Sequence, residues 1–224
     1  MSVAGALPEP ARIGTLQRRI RWIVAGTIAY NVVEAVVAIA AGTVASSSAL
    51  IAFGLDSVIE VLSAAAVAWQ FAGRDPEARE KAALRVIACS FFALAVYVTA
   101  DSILGLAGAK AAEHSPVGIG LTIASLVIMP LFSWAERRVG TKLGSASAVS
   151  DSKQTLTCSY LSGAVLAGLL LNALLGWSWA DPVAGLLIAG LAIREGVEAW
   201  KGESCATPVA QLTEREEGGL RRPA

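Results

Sequence analysis

The stretch SSSALIAFGLDSVIEVLSA, residues 46–64, decides the fold. It is apolar and nearly long enough to cross a membrane, which takes roughly 20 residues, yet Asp56 and Glu60 sit near its middle. A spacing of four puts both carboxylates on one face of a helix, one turn apart. An ionisable side chain at that depth costs at least about 2.5–3.5 kcal/mol on insertion scales, so it usually faces a water-filled cavity or a partner. Two like charges so close repel, and one must hold a proton unless a divalent ion sits between them.

The composition around this stretch agrees with a membrane setting. Of 224 residues, 55% are apolar and only 16% charged, where a soluble domain carries about a quarter charged residues. Mean hydropathy is +0.60. These values exclude a disordered chain and a basic nucleic-acid-binding domain. Cys89, Cys158 and Cys205 fall at no metal-ligand spacing, and an odd number is no disulfide framework.

Six apolar runs follow in order: about 22–45, 48–71, 82–108, 116–134, 148–175 and 182–200. The first is too long for a signal-peptide core and holds Asn31 and Glu34, so it reads as a retained helix. All of the 18 Lys and Arg except Lys110 fall in the N-terminal segment, the 2–3 and 4–5 connections, or the C-terminal end. Six crossings with both termini in the cytoplasm give that split under the positive-inside rule. The expected fold is therefore an all-α, multi-pass protein of the cytoplasmic membrane. Residues 1–20 are read as a cytosolic tail loosened by Pro8 and Pro10, 21–200 as the six-helix domain, and 201–224 as a short disordered cytosolic tail.

Four acidic residues lie well inside the runs: Glu34, Asp56, Glu60 and Asp101. Helix 5 offers a face that matches the acidic pair of helix 2. Asp151, Gln154 and Cys158 are spaced i, i+3, i+7 and stack along one stripe. At 1.5 Å rise per residue, Glu60 lies roughly 14 Å, and Cys158 roughly 10–15 Å, from the cytoplasmic ends of their helices. Carboxylates, an amide and a thiol can thus meet at one depth, and carboxylate with thiolate is a ligand set for Zn²⁺. Each residue also has a plainer reading. Asp56 and Glu60 can be protonated and hydrogen-bonded, Cys158 can be a packed core thiol, and Gln154 can join helices. Asp151 can cap helix 5, and Glu34, which shares a face of helix 1 with Asn31, can carry a proton or simply accept hydrogen bonds. Asp101 reads as interfacial and His114 as a surface bystander.

The helix-2 stretch resembles the pattern G-S-x-A-L-x-A-D-x-x-H/D-S-x-x-D of the cation diffusion facilitator family. SDSKQTLTCSYLSG (150–163) and GWSWADPVAGLLIAG (176–190) resemble that family's helix 5 and its W-x-D-P entry to helix 6, and Asn31 matches a polar position of helix 1. The resemblance covers about residues 20–200. It implies six membrane helices and a metal site made of Asp56, Glu60, Gln154 and Cys158, the last two standing where the family usually has His and Asp. Asp151, Glu34 and Asn31 then stand as proton-carrying or accessory positions. Most members add a cytosolic dimerising domain after helix 6, whereas 24 residues follow Trp200 here, so a homodimer would form through the membrane helices.

The expected function is export of a divalent cation, zinc foremost, in exchange for protons. The protein is read as a transporter and not an enzyme, with no permanently bound cofactor and no nucleic-acid partner. Two other classes compete: a non-transporting metal-binding membrane protein or partner subunit, and a proton-coupled efflux protein for organic cations. The last would need an aromatic-lined cavity, and most of the aromatic residues sit near helix ends.

Overall fold

Three of the helices begin at a proline. Pro cannot donate a backbone hydrogen bond, but the first turn of a helix has no acceptor for one, and the fixed φ suits the helix. A computed structural model of the protein describes residues 10–71, 76–108, 112–143 and 146–201. Its helices are α1 (Pro10–Val44), α2 (Ser48–Phe71), α3 (Pro76–Leu106), α4 (Pro116–Leu143), α5 (Ala146–Leu175) and α6 (Ala180–Lys201). No strand occurs among the described residues.

Two boundaries differ from the hydropathy reading. Residues 10–20 are helical, so Pro10 opens α1 and does not loosen a tail. Helix α4 runs on to Leu143, well past Trp134, and so brings Glu136 into the bundle interior. Among the described residues, five helices are long and apolar enough to cross a membrane. The sixth, α6, carries Asp181, Arg194, Glu195 and Glu198 in its 22 residues and owes its place to packing against α3, α5 and α2. Residues 1–9 and the expected tail at 202–224 lie outside the described residues.

The three serines at 46–48 make the tight turn between α1 and α2. Ser46 takes the left-handed conformation, φ 52°. Ser47 caps α2, its Oγ accepting the backbone N–H of Leu50 at 3.1 Å. Asp181, fully buried in the first turn of α6, then ties the two helix starts together. It accepts Ser47 Oγ at 2.5 Å and the backbone N–H of Ser48 at 2.8 Å, a negative group at the positive end of α2. Asp101 of α3 accepts Ser48 Oγ at 2.6 Å. One helix terminus therefore organises α2, α3 and α6.

Helix α2 contacts α1, α3, α5 and α6, while α4 packs on α5 and α1. The core includes Leu50, Phe53, Phe91, Val98, Val165 and Ile188. Large apolar side chains such as Val36, Val96, Leu131 and Leu187 point outward, as lipid requires. The interior holds Asn31, Glu34, Asp56, Glu136 and Asp181. Helices α1 and α2 approach backbone to backbone at two glycines, a usual device where lipid gives helices no hydrophobic reason to associate. A Cβ on Gly54 would lie 2.8 Å from Ile39 Cγ1 and 2.9 Å from its backbone nitrogen, and one on Gly42 would lie 2.8 Å from the nitrogen of Ile51.

Two stability predictions follow from these contacts. Gly54→Ala should destabilise the detergent-solubilised protein by about 1–3 kcal/mol, read as a lowered Tm; an unchanged Tm would mean that the helices part freely. Asp181→Ala strands the Ser47 and Ser48 donors at about 1–3 kcal/mol each, and Asp181→Asn, which keeps one acceptor oxygen, should cost less. Equal unfolding curves for all three proteins would contradict the capping role.

Candidate metal site

Asp56 and Glu60 sit on consecutive turns of α2, and the helix turns both toward α5. There Cys158 completes a cluster in which a carboxylate oxygen from each acid and the thiol sulfur lie within 4.8 Å of one another. The Cys158 thiol donates a hydrogen bond to Glu60 Oε1. Asn31 of α1 donates from Nδ2 to the other Glu60 oxygen at 2.5 Å. Glu60 is thus held from both sides, by an amide and by a thiol. Asp56 is 9% exposed, Cys158 5% and Asn31 4%.

Donors on a four-coordinate Zn²⁺ at about 2.0–2.3 Å lie roughly 3.3–3.8 Å apart. The cluster is near that spacing, and a small tightening of three side chains would close it on an ion. It offers two hard oxygen donors and one soft sulfur, a set that suits a borderline divalent cation better than Mg²⁺ or Ca²⁺.

A cavity of about 180 Å³ lies against the cluster. Phe91, Leu161 and Ile188 form apolar wall, and Arg194, Glu195 and Glu198 of the last turns of α6 also line it. Arg194 is exposed and engages Glu198, Nε to Oε1 at 2.8 Å. The cavity is therefore open toward the ends of α6 and α2, where basic residues gather.

The structure brings together Asp56, Glu60 and Cys158, with Asn31 joined through Glu60. The side chains of Gln154 and Asp151 lie outside the described residues. On the α5 backbone Gln154 is one turn and Asp151 two turns from Cys158, toward the basic end. Glu34 belongs to a separate group of hydrogen bonds with Ser57 and Ser125. His114 is exposed in the α3–α4 connection, away from the cluster.

Sequence reasoning missed the roles of four acidic positions. Glu195 and Glu198 lie at a helix end that the sequence marks by its basic residues, yet Glu195 stands seven residues after buried Ile188 and continues its face. Glu136 precedes Arg137 and Arg138, beyond the apolar run of helix 4. It is fully buried and accepts Thr27 Oγ1 and Thr155 Oγ1, each at 3.1 Å. Asp181 is the acidic residue of the W-x-D-P stretch, but its capping of α2 carried no sequence signal, because its partners lie more than 130 residues away.

Residues 25–201 match the cation efflux transmembrane domain. The chain is similar to an uncharacterized transporter of Methanocaldococcus jannaschii, 27% identical over 199 residues, which cover 84% of this chain and 68% of that protein. A 95-residue stretch is 26% identical to an uncharacterized transporter of Synechocystis sp., covering 42% of this chain and 31% of that protein. The domain match takes in all three cluster residues and most of the chain, which therefore belongs to the cation efflux transmembrane domain family.

Proposed function

We propose that the protein is a secondary transporter that exports a divalent metal cation, zinc foremost, across the cytoplasmic membrane in exchange for protons. The convergence of Asp56, Glu60 and Cys158 beside a cavity carries this reading. Under the positive-inside rule the basic helix ends are cytoplasmic, so the cavity is the cytoplasmic approach to the cluster. Pairing of two copies through the membrane helices belongs to the same proposal and rests on the family resemblance.

The hydrogen bond from Cys158 to Glu60 defines what loading must do. A cation can take the sulfur lone pair and the Glu60 oxygen only when the proton between them leaves. Metal binding therefore releases at least this proton, and affinity rises with pH. Once rocking of the helices opens the cluster to the other side, protons compete the cation off. The same exclusion that drives loading drives release.

An organic-cation substrate fits poorly. Drug-sized ligands occupy pockets of about 300–1,000 Å³, above the 180 Å³ found here, and Phe91 is the one aromatic residue among those lining the cavity.

Purified protein in liposomes, with a zinc dye and a pH dye inside, tests the proposal. Zinc flux with opposed proton flux is expected, falling to background in Asp56→Ala. Zinc binding without flux would support a non-transporting metal-binding protein, and neither binding nor flux would overturn the metal reading. Cys158→Ser should weaken binding of thiophilic Cd²⁺ by roughly 10–100-fold while changing Mn²⁺ binding far less. Unchanged Cd²⁺ affinity in a competitive titration would return Cys158 to a packing role.

A further inference from the structure

Glu34 is a buried carboxyl that the metal cluster does not use. It is 1% exposed, in the middle of α1, and its partners come from three helices. Ser57 Oγ of α2 donates to Oε2 at 2.8 Å, and Ser125 Oγ of α4 donates to Oε1. Tyr30 Oη of α1 lies 2.7 Å from Ser125 Oγ and extends the chain by one more hydroxyl. None of these bonds comes from Lys or Arg. Ser57, one of its donors, directly follows Asp56 along α2, so the charge on this carboxyl bears on the cluster, although among the described residues no hydrogen bond joins Glu34 to Asp56, Glu60 or Cys158.

The hydroxyl shell suits both protonation states. When Glu34 is charged, Ser57 and Ser125 donate to its two oxygens, and Tyr30 donates to Ser125. When Glu34 is neutral, its own O–H can donate to Ser125 Oγ, which has lone pairs for both Glu34 and Tyr30. Ser125 can then turn its hydrogen to the carbonyl of Leu121, 3.1 Å away, four residues back on its own helix. Ser57 need not move, because the neutral carboxyl keeps an acceptor oxygen at Oε2 for its hydrogen. No buried donor or acceptor of the group is orphaned in either state. Asp181 contrasts with this. It accepts backbone N–H groups that cannot rotate away, so its environment is built for the charged form alone.

We propose that Glu34 is a proton-holding carboxyl distinct from the metal ligands, neutral when the cluster holds no cation and charged when it does. This inference rests on the reading that a divalent cation enters the cluster of Asp56, Glu60 and Cys158. Arrival of two positive charges favours breaking the Glu34 O–H bond; the proton goes to solvent, Ser125 turns its hydrogen to the carboxylate, and Ser57 goes on donating to Oε2. Departure of the cation reverses each step. Glu34 thereby adds one proton to those displaced at the ligands themselves and ties α1, α2 and α4 to the loading state.

Calorimetric titration of Zn²⁺ into the purified full-length protein, in buffers of different ionisation enthalpy, counts the protons released. Glu34→Gln should still bind Zn²⁺ but release about one proton fewer than wild type, with a correspondingly shallower rise of affinity with pH. A purely structural role would leave the count unchanged, and that result overturns the proposal. Infrared difference spectra of the wild-type protein provide a measurement that does not depend on the variant folding. Zn²⁺ should remove a protonated-carboxyl band, and Ser125→Ala should shift that band, because Ser125 bonds to this carboxyl. Absence of the band, or a band indifferent to Ser125→Ala, overturns the proposal. Failure of wild-type protein to bind Zn²⁺ would overturn the metal reading along with it, whereas intact binding with an unchanged proton count overturns this inference alone.

Discussion

A carboxylate inside a membrane helix must be given a proton, a set of donors or a cation, because isolated charge there costs several kcal/mol. Among the described residues the protein buries four acidic groups, Glu34, Asp56, Glu136 and Asp181, with Glu60 half-buried beside Asp56, and the demand is answered in different ways. Asp181 takes the N-terminal donors of α2. Glu136 takes two threonine hydroxyls and Glu34 two serine hydroxyls. Asp56 and Glu60 are left to share their neighbourhood with a thiol and an amide. The first arrangement fixes the architecture, and the last leaves room for an ion.

These arrangements depend on one another through α2. Its N-terminus is held by Asp181 and Asp101 from α6 and α3. Its middle presses on α1 at Gly54, and the next turns carry Asp56 and Glu60 toward α5. A shift of α2 along its axis would loosen the cap and the cluster together. The cavity against that cluster is closed on one side by apolar residues of α3, α5 and α6 and lined toward its open end by the charged turns of α6. Fold and site are consequently one construction.

Much of this was legible in the sequence, because it rests on short-range periodicity. The spacing of Asp56 and Glu60 placed them on one face, and counting residues along helices 2 and 5 brought Cys158 to their depth. The turn at Ser46–Ser48 put the start of α2 at Ser48, where the structure has it. What escaped was long-range or ambiguous. Pro10 reads equally well as a tail breaker or as a first helical residue, and only the packed helix decides. Glu136 lies beyond the apolar run that marked helix 4, next to two arginines, a pattern common at exposed helix ends. Whether Asn31 and Glu34 act together could not be seen from their shared face, and the structure separates them. Asn31 bonds to Glu60, while Glu34 bonds to Ser57 and Ser125.

The central claim is that Asp56, Glu60 and Cys158 bind one divalent cation directly. X-ray absorption at the zinc edge of the loaded protein tests it without any transport assay. The account predicts a single bound zinc with one sulfur neighbour at about 2.3 Å and oxygen or nitrogen neighbours at about 2.0–2.2 Å, the sulfur vanishing in Cys158→Ser. A shell of oxygen and nitrogen alone in the wild-type protein, or a sulfur that survives the substitution, would contradict it.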